Sequence, residues 1–152
     1  AMGRVILCGI GMDVNTPGDW LKSSGVRRIA LANPRHAPYG EAAMQALDSL
    51  ALTERVRDKL VIGENVNQAL QFMLSGNAEA AFIARSQRAA VWGACSSKFS
   101  APPVIQQAIM LNDTIGARDF KAFLQGAEAA AIIAEAGYEV PLVKQSLQEA
   151  PP

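Results

Sequence analysis

The sequence predicts an α/β fold, a mostly parallel sheet flanked by helices, followed by a C-terminal strand and helices. Three observations predict it. Apolar runs of strand length alternate with amphipathic segments of helical period through residue 87. The connections between them are short, as in a sheet wound with crossover helices. The first run, Arg4 to Ile10 (RVILCGI), is apolar at nearly every position, the mark of a central strand covered on both faces.

Taken in order, Arg4–Ile10 is a strand that stops in the Gly9/Gly11 region. Gly18–Lys22 is a short helix ending near Ser24-Gly25, and Arg28–Ala32 is a second strand closed by Asn33-Pro34. Ala42–Leu50 is a helix with Met44, Leu47 and Leu50 at spacing three, and Leu52–Lys59 reads as another short helix begun by Thr53. Leu60–Ile62 is a third strand. Asn65–Ser75 is the clearest amphipathic helix, with Val66, Ala69, Leu70, Met73 and Leu74 on one face and Gly76-Asn77 as its stop; Ala80–Ala84 is the strand after it. From Arg88 to Pro103 a cysteine, glycine, serines and prolines indicate a long connection, so residues 1–87 are expected to form one α/β lobe and 88–152 a crossover and a C-terminal part. In that part Val104–Leu111 reads as a strand, and Ala117–Leu124 and Ala127–Glu135 as helices. One strand and two helices are too little for an independent core.

Composition narrows the function classes. The 152 residues are half hydrophobic, and 14 basic side chains balance 14 acidic ones, so no overall field favours a nucleic acid or an anionic membrane. No apolar run approaches a membrane span. Ala1-Met2 ahead of Gly3 has no secretory-leader pattern and reads as a cloning remnant. Cys8 and Cys95 lack metal-type spacing; they could pair in an oxidising compartment, but the expectation is two unlinked thiols.

A search for catalytic groups returns little. His36 is the only histidine and reads as an exposed loop residue, Gly9-Ile10-Gly11 lacks the third glycine of a dinucleotide fingerprint, and no nucleophile and base can be paired. No enzyme and no cofactor are expected. The stronger signals are two helix starts that each follow a strand, Ala37-Pro38-Tyr39-Gly40 and Gly63-Glu64-Asn65-Val66. In an open α/β sheet these starts meet the strand ends at the edge where ligands bind. Each first turn leaves backbone N–H groups unpaired at the positive end of the helix dipole, a pattern suited to an anion and needing no arginine. Glu41 and Glu64 are expected on the solvent side. The aromatics Trp20, Phe72, Phe82, Trp92 and Phe99 read as packing residues, and Tyr39 as a candidate to line the site.

Three stretches carry a resemblance: RRIALANPRHAPYGEAAMQAL, LVIGENVNQALQFMLSGNAEAAFIARSQ and FLQGAEAAAIIAEAGY. Together they resemble the periplasmic molybdate-binding proteins of ABC importers, in order from about Arg4 to Tyr138. The resemblance implies the type 2 periplasmic binding fold: a two-lobed protein that closes on molybdate or tungstate, holds it by neutral hydrogen bonds, and delivers it to a membrane permease. It implies ligand-binding positions at Tyr39 with Pro38 beside it, and at Val66 with Asn65 beside it. A further position, a tyrosine in some members, falls on Ala84, where the hydroxyl is absent.

The resemblance also implies that residues 1–87 are lobe two and that 88–152 complete a lobe one whose N-terminal half, with its serine ligands, is missing. On that reading the Val104–Leu111 strand and the helix bearing Phe120 and Phe123 expose apolar faces, and a homodimer, with or without exchange of the C-terminal segment, is expected. The expected location is periplasmic. The alternative is a truncated sensory or regulatory module of the same fold with little or no molybdate affinity.

Overall fold

A computed structural model describes residues 1–140. Its strands are β1 (Met2–Gly3), β2 (Val5–Gly9), β3 (Ile29–Ala32), β4 (Leu60–Gly63), β5 (Ala80–Ala84), β6 (Ala94–Ser96) and β7 (Val104–Ile105). Its helices are α1 (Pro17–Lys22), α2 (Pro38–Ser49), α3 (Val66–Leu74), α4 (Ile115–Leu124) and α5 (Ala127–Glu135). Five strands form one sheet in the order β4-β3-β5-β2-β6, and β1 pairs with β7 in a separate ribbon.

β3 is parallel to β4 and β5, whereas β2 is antiparallel to both β5 and β6. Four strands therefore run one way and only β2 is reversed. As its unbroken apolar run predicts, β2 is buried throughout and lies inside the sheet.

Strand alternation sends side chains to two cores. Val5, Leu7, Ile29, Leu31, Ala80 and Phe82 meet Leu21 of α1 and Ala42, Ala43, Ala46 and Leu47 of α2 on one face. Ile6, Cys8, Ala30, Ala81 and Ile83 meet Ala69, Leu70 and Met73 of α3 on the other. Of the residues whose spacing predicted these helices, Leu47, Ala69, Leu70 and Met73 are buried, Met44, Leu50 and Val66 are partly buried, and Leu74 is exposed.

Several expectations are corrected. Cys8 and Cys95 are not separate thiols but a disulfide joining paired positions of β2 and β6. The long connection after residue 87 contains β6, which is hydrogen-bonded into the main sheet, so the crossover narrows to 97–103 and the lobe does not end at 87. Leu52–Lys59 is mainly turns with a short 3-10 helix at Arg57–Lys59: Ala51 takes a positive φ of 54°, and Leu52 and Val56 are pulled into the core rather than along a helical stripe. The strand read over Val104–Leu111 is paired only at Val104 and Ile105, opposite Gly3 and Met2. Trp92 is 90% exposed, not a packing residue.

Beyond the ribbon, α4 and α5 pack on each other, and no residue of α4 is buried. Ile109, Leu111, Ile115, Phe120 and Ile132 are more than half exposed, as the sequence predicts for the helix bearing Phe120 and Phe123. Val104 departs from that expectation, being buried against the main core. Among the described residues no helix is long and apolar enough to cross a membrane.

Candidate functional site

Ala32 and Gly63, the last residues of β3 and β4, are paired in register, and the Asn33 N–H donates to the Gly63 carbonyl at 2.7 Å. The two strands therefore end at one level. From there the chain diverges: β3 leads to α2 on one face of the sheet and β4 leads to α3 on the opposite face. Adjacent strands whose following helices take opposite faces leave a crevice between their ends, the usual ligand position in an open α/β sheet. The starts of α2 and α3 flank that crevice.

Local sequence decides which donors remain free there. In α2 the cap residue Ala37 has no polar side chain, Pro38 at the first helical position has no N–H, and Gly40 and Glu41 both donate to the Ala37 carbonyl. The Tyr39 N–H has no partner among the described residues. Gly40 lets the turn sit on the strand end, since a Cβ there would lie 2.3 Å from the Ala32 carbonyl oxygen. In α3 the Asn65 side chain accepts from the Gln68 N–H at 3.0 Å, and the Ala69 N–H donates to the Asn65 carbonyl, so the N–H groups of Val66 and Asn67 are unpaired among the described residues. Three donors without partners among the described residues, at two positive dipole ends, are an arrangement suited to an anion, with no cation needed.

Of the residues singled out in sequence, Pro38 and Asn65 are exposed and Tyr39 and Val66 half-buried at the crevice, as expected for a first turn. Glu41 and Glu64 are exposed, and so is His36, in the loop between β3 and α2. Ala84 ends β5 at the same edge, but it is buried and its N–H donates to the Gln87 side chain at 3.0 Å. Gln87 in turn donates to Asn67 Oδ1 at 2.6 Å, tying the end of β5 to the start of α3. Sequence reading missed Gln68, which accepts from the Glu64 N–H at 2.6 Å, and the Asn67–Gln87 link, whose partners are 20 residues apart and share no local pattern.

The Tyr39 side chain reaches the β1–β7 ribbon, where its ring and hydroxyl lie against Gly3. Its hydroxyl is buried without a hydrogen-bond partner among the described residues, and burial, with the neighbouring Tyr138 phenol, pushes it up to about 12. It therefore stays protonated across the physiological range. Beyond the crevice, Arg4 donates twice to Glu139 at 2.9–3.1 Å, and Arg85 lies 3.6 Å from the same carboxylate. Those bonds hold the Glu139 carboxyl below its ordinary range.

Residues 10–139 match the model of the bacterial extracellular solute-binding protein family. The chain is 34% identical to the molybdate-binding protein ModA of Azotobacter vinelandii over 91% of its own length and 59% of that protein's. It is 33% identical to ModA of Rhodobacter capsulatus over 91% and 57%. The solved periplasmic molybdate-binding protein of Azotobacter vinelandii superposes with a TM-score of 0.79 at 33% identity, covering 93% of this chain and 66% of the other. The chain thus spans less than two thirds of the length of these relatives, each of which is named a molybdate-binding protein. The sheet, its crevice and the match over residues 10–139 agree: the chain belongs to the bacterial extracellular solute-binding protein family.

Proposed function

We propose that the chain is a substrate-binding component, or a piece of one, of a molybdate or tungstate ABC import system, and that it holds the tetrahedral oxyanion by backbone amides at the starts of α2 and α3. The observation that carries this reading is the in-register end of β3 and β4 at Ala32 and Gly63, from which the two helices depart to opposite faces with the N–H groups of Tyr39 and Val66 unpaired. The names of the relatives supply the ligand, and the neutral donor set fits it: a dianion without ionisable protons accepts from every N–H, whereas a protonated oxyanion sets a donor against a donor. The partner on this reading is an ABC permease, and the location is periplasmic, which the Cys8–Cys95 disulfide supports because disulfides persist in oxidising compartments.

The donors named here come from one side of the crevice, so affinity for the 152 residues alone is expected to be weak, in the millimolar range. Titration of the isotope-labelled chain with molybdate, tungstate and sulfate tests the site. The amide resonances of Tyr39, Val66 and Asn67 should move with molybdate and tungstate and less with sulfate. Absence of any shift at those three amides at saturating molybdate rejects the assignment. A homodimer covering the apolar face of α4 belongs to the same proposal, and a light-scattering mass that stays at 16.1 kDa at high concentration rejects that part.

A further inference from the structure

The β1–β7 ribbon leads out of the main sheet toward α4 and α5, and it lies along the first turns of α2. Pro102, Val104 and Ile105 line a cleft of about 380 Å³ with Pro38, Glu41 and Gln45. On the other strand of the ribbon Gly3 has no side chain, and the space that a Cβ would take is held by Tyr39. Its hydroxyl oxygen lies 2.0 Å and its Cζ 3.0 Å from that position. Tyr138, just beyond α5, bounds the same space, its Cε1 being 3.5 Å away. Three separate stretches of chain thus meet at one buried oxygen: the ribbon, the start of α2 and the end of the C-terminal helices. The residue that carries this oxygen also carries the N–H of the α2 start that has no partner among the described residues.

We infer that Tyr39 is a positioning residue, whose side chain, with its ring seated over Gly3 and beside Tyr138, fixes the first turn of α2 against the crossover ribbon and so sets where its own N–H points. The inference rests on the reading of the α2 start as part of an oxyanion site and deepens it. The side chain and the N–H belong to one residue of a rigid helical turn, so a shift of the ribbon moves the donor. By reciprocity an anion that fixes the donor biases the ribbon and the helices beyond it.

The test uses amide spectra of the full chain, wild type, Gly3→Ala, Tyr39→Phe and the double variant. Gly3→Ala places a methyl group on the phenolic oxygen and should displace the Tyr39, Gly40 and Glu41 resonances. Adding Tyr39→Phe removes that oxygen, leaves the ring carbon at 3.0 Å as the nearest neighbour, and should return Gly40 and Glu41 toward their positions in Tyr39→Phe alone. General loss of packing would not be repaired by a second deletion, so this rescue separates positioning from a bland structural role. The inference is overturned if Gly3→Ala leaves the α2 amides in place, or if the double variant fails to restore them. Should Gly3→Ala not fold, recovery of a folded spectrum in the double variant supports the inference and its absence overturns it.

Molybdate added to the same samples separates the two levels. Where the wild type responds, Gly3→Ala should weaken the response severalfold and the double variant should recover it; an unchanged response in a displaced Gly3→Ala overturns the inference. A wild type that does not respond rejects the site assignment, while the ligand-free spectra still decide the contact.

Discussion

Cys8 and Cys95 stand directly opposite each other in the antiparallel β2–β6 ladder, their Cα atoms 4.1 Å apart and their sulfurs bonded. β6 is a three-residue edge strand held to the sheet by β2 alone. The link spans 87 residues of sequence, so it restrains most of the lobe in the unfolded chain. Reduction, or replacement of both cysteines by alanine, is expected to lower stability by about 2–4 kcal/mol. Urea midpoints with and without reductant measure it, and a thiol assay of the denatured, unreduced chain should find no free thiol among Cys8 and Cys95.

Two helical glycines should respond to alanine with opposite signs. At Gly40 the added carbon would sit 2.3 Å from the Ala32 carbonyl oxygen and push α2 off the end of β3, at a cost of about 1–3 kcal/mol. At Gly116 in α4 nothing among the described residues lies within 4 Å of the new carbon, and the gain in helix propensity is about 0.5–1 kcal/mol. Equilibrium unfolding of the two variants checks both. Equal effects would mean that α2 does not rest on β3 as described.

What the sequence made legible follows from where the information is local. The Ala80–Ala84 strand and the Ala127–Glu135 helix have the bounds read from periodicity and flanking signals, and α3 differs by one residue at each end, because Asn65 and Ser75 are its caps. The APYG and ENV helix starts were also visible, since proline, asparagine and the following apolar stripe lie within a few residues. β6 was not visible: Ala94-Cys95-Ser96 has no strand pattern of its own and is a strand only because β2 offers it a free edge. The converse holds for residues 107–111, apolar enough for a strand but given no strand to pair with among the described residues; the last link of the ribbon is the Gln106 N–H, which donates to the Ala1 carbonyl. The Asn67–Gln87 link and the seat of Tyr39 over Gly3 join residues 20 and 36 positions apart, distances over which side-chain spacing says nothing.

Acid should loosen the C-terminal helices from the lobe before it unfolds the sheet. Arg4, bonded to Glu139, and Arg85 nearby hold that carboxyl below its ordinary value in the folded chain. A depressed carboxyl contributes stability that is present above its unfolded value and is lost as pH falls through the folded one. The Met2–Glu139 bridge should therefore weaken below the ordinary carboxylate range, seen as lost protection, relative to the intrinsic exchange rate at each pH, of the Met2 and Glu139 amides, which bond reciprocally at 2.8 Å. Glu139→Gln should abolish that acid step while leaving the core strands protected. An unchanged step in the variant assigns it to another group, Glu79 being the alternative because its carboxylate accepts from the Arg27 and Arg28 N–H groups.

Two phenylalanines separate core from surface. Phe82 in β5 is 1% exposed and packs edge-on against Phe99 at 5.9 Å, so Phe82→Ala removes a ring from the centre of the α2-side core and should cost about 3–5 kcal/mol. Phe120 in α4 is 60% exposed and, among the described residues, stacks on Phe123 of its own helix at 6.4 Å. Phe120→Ala should change the unfolding free energy of the isolated chain by no more than about 0.5 kcal/mol, the range of an ordinary surface substitution. If that cost instead rises with protein concentration, the α4 face is covered by a second copy, because only an association equilibrium makes stability depend on concentration. Denaturant titrations of both variants at two concentrations a hundredfold apart distinguish these outcomes.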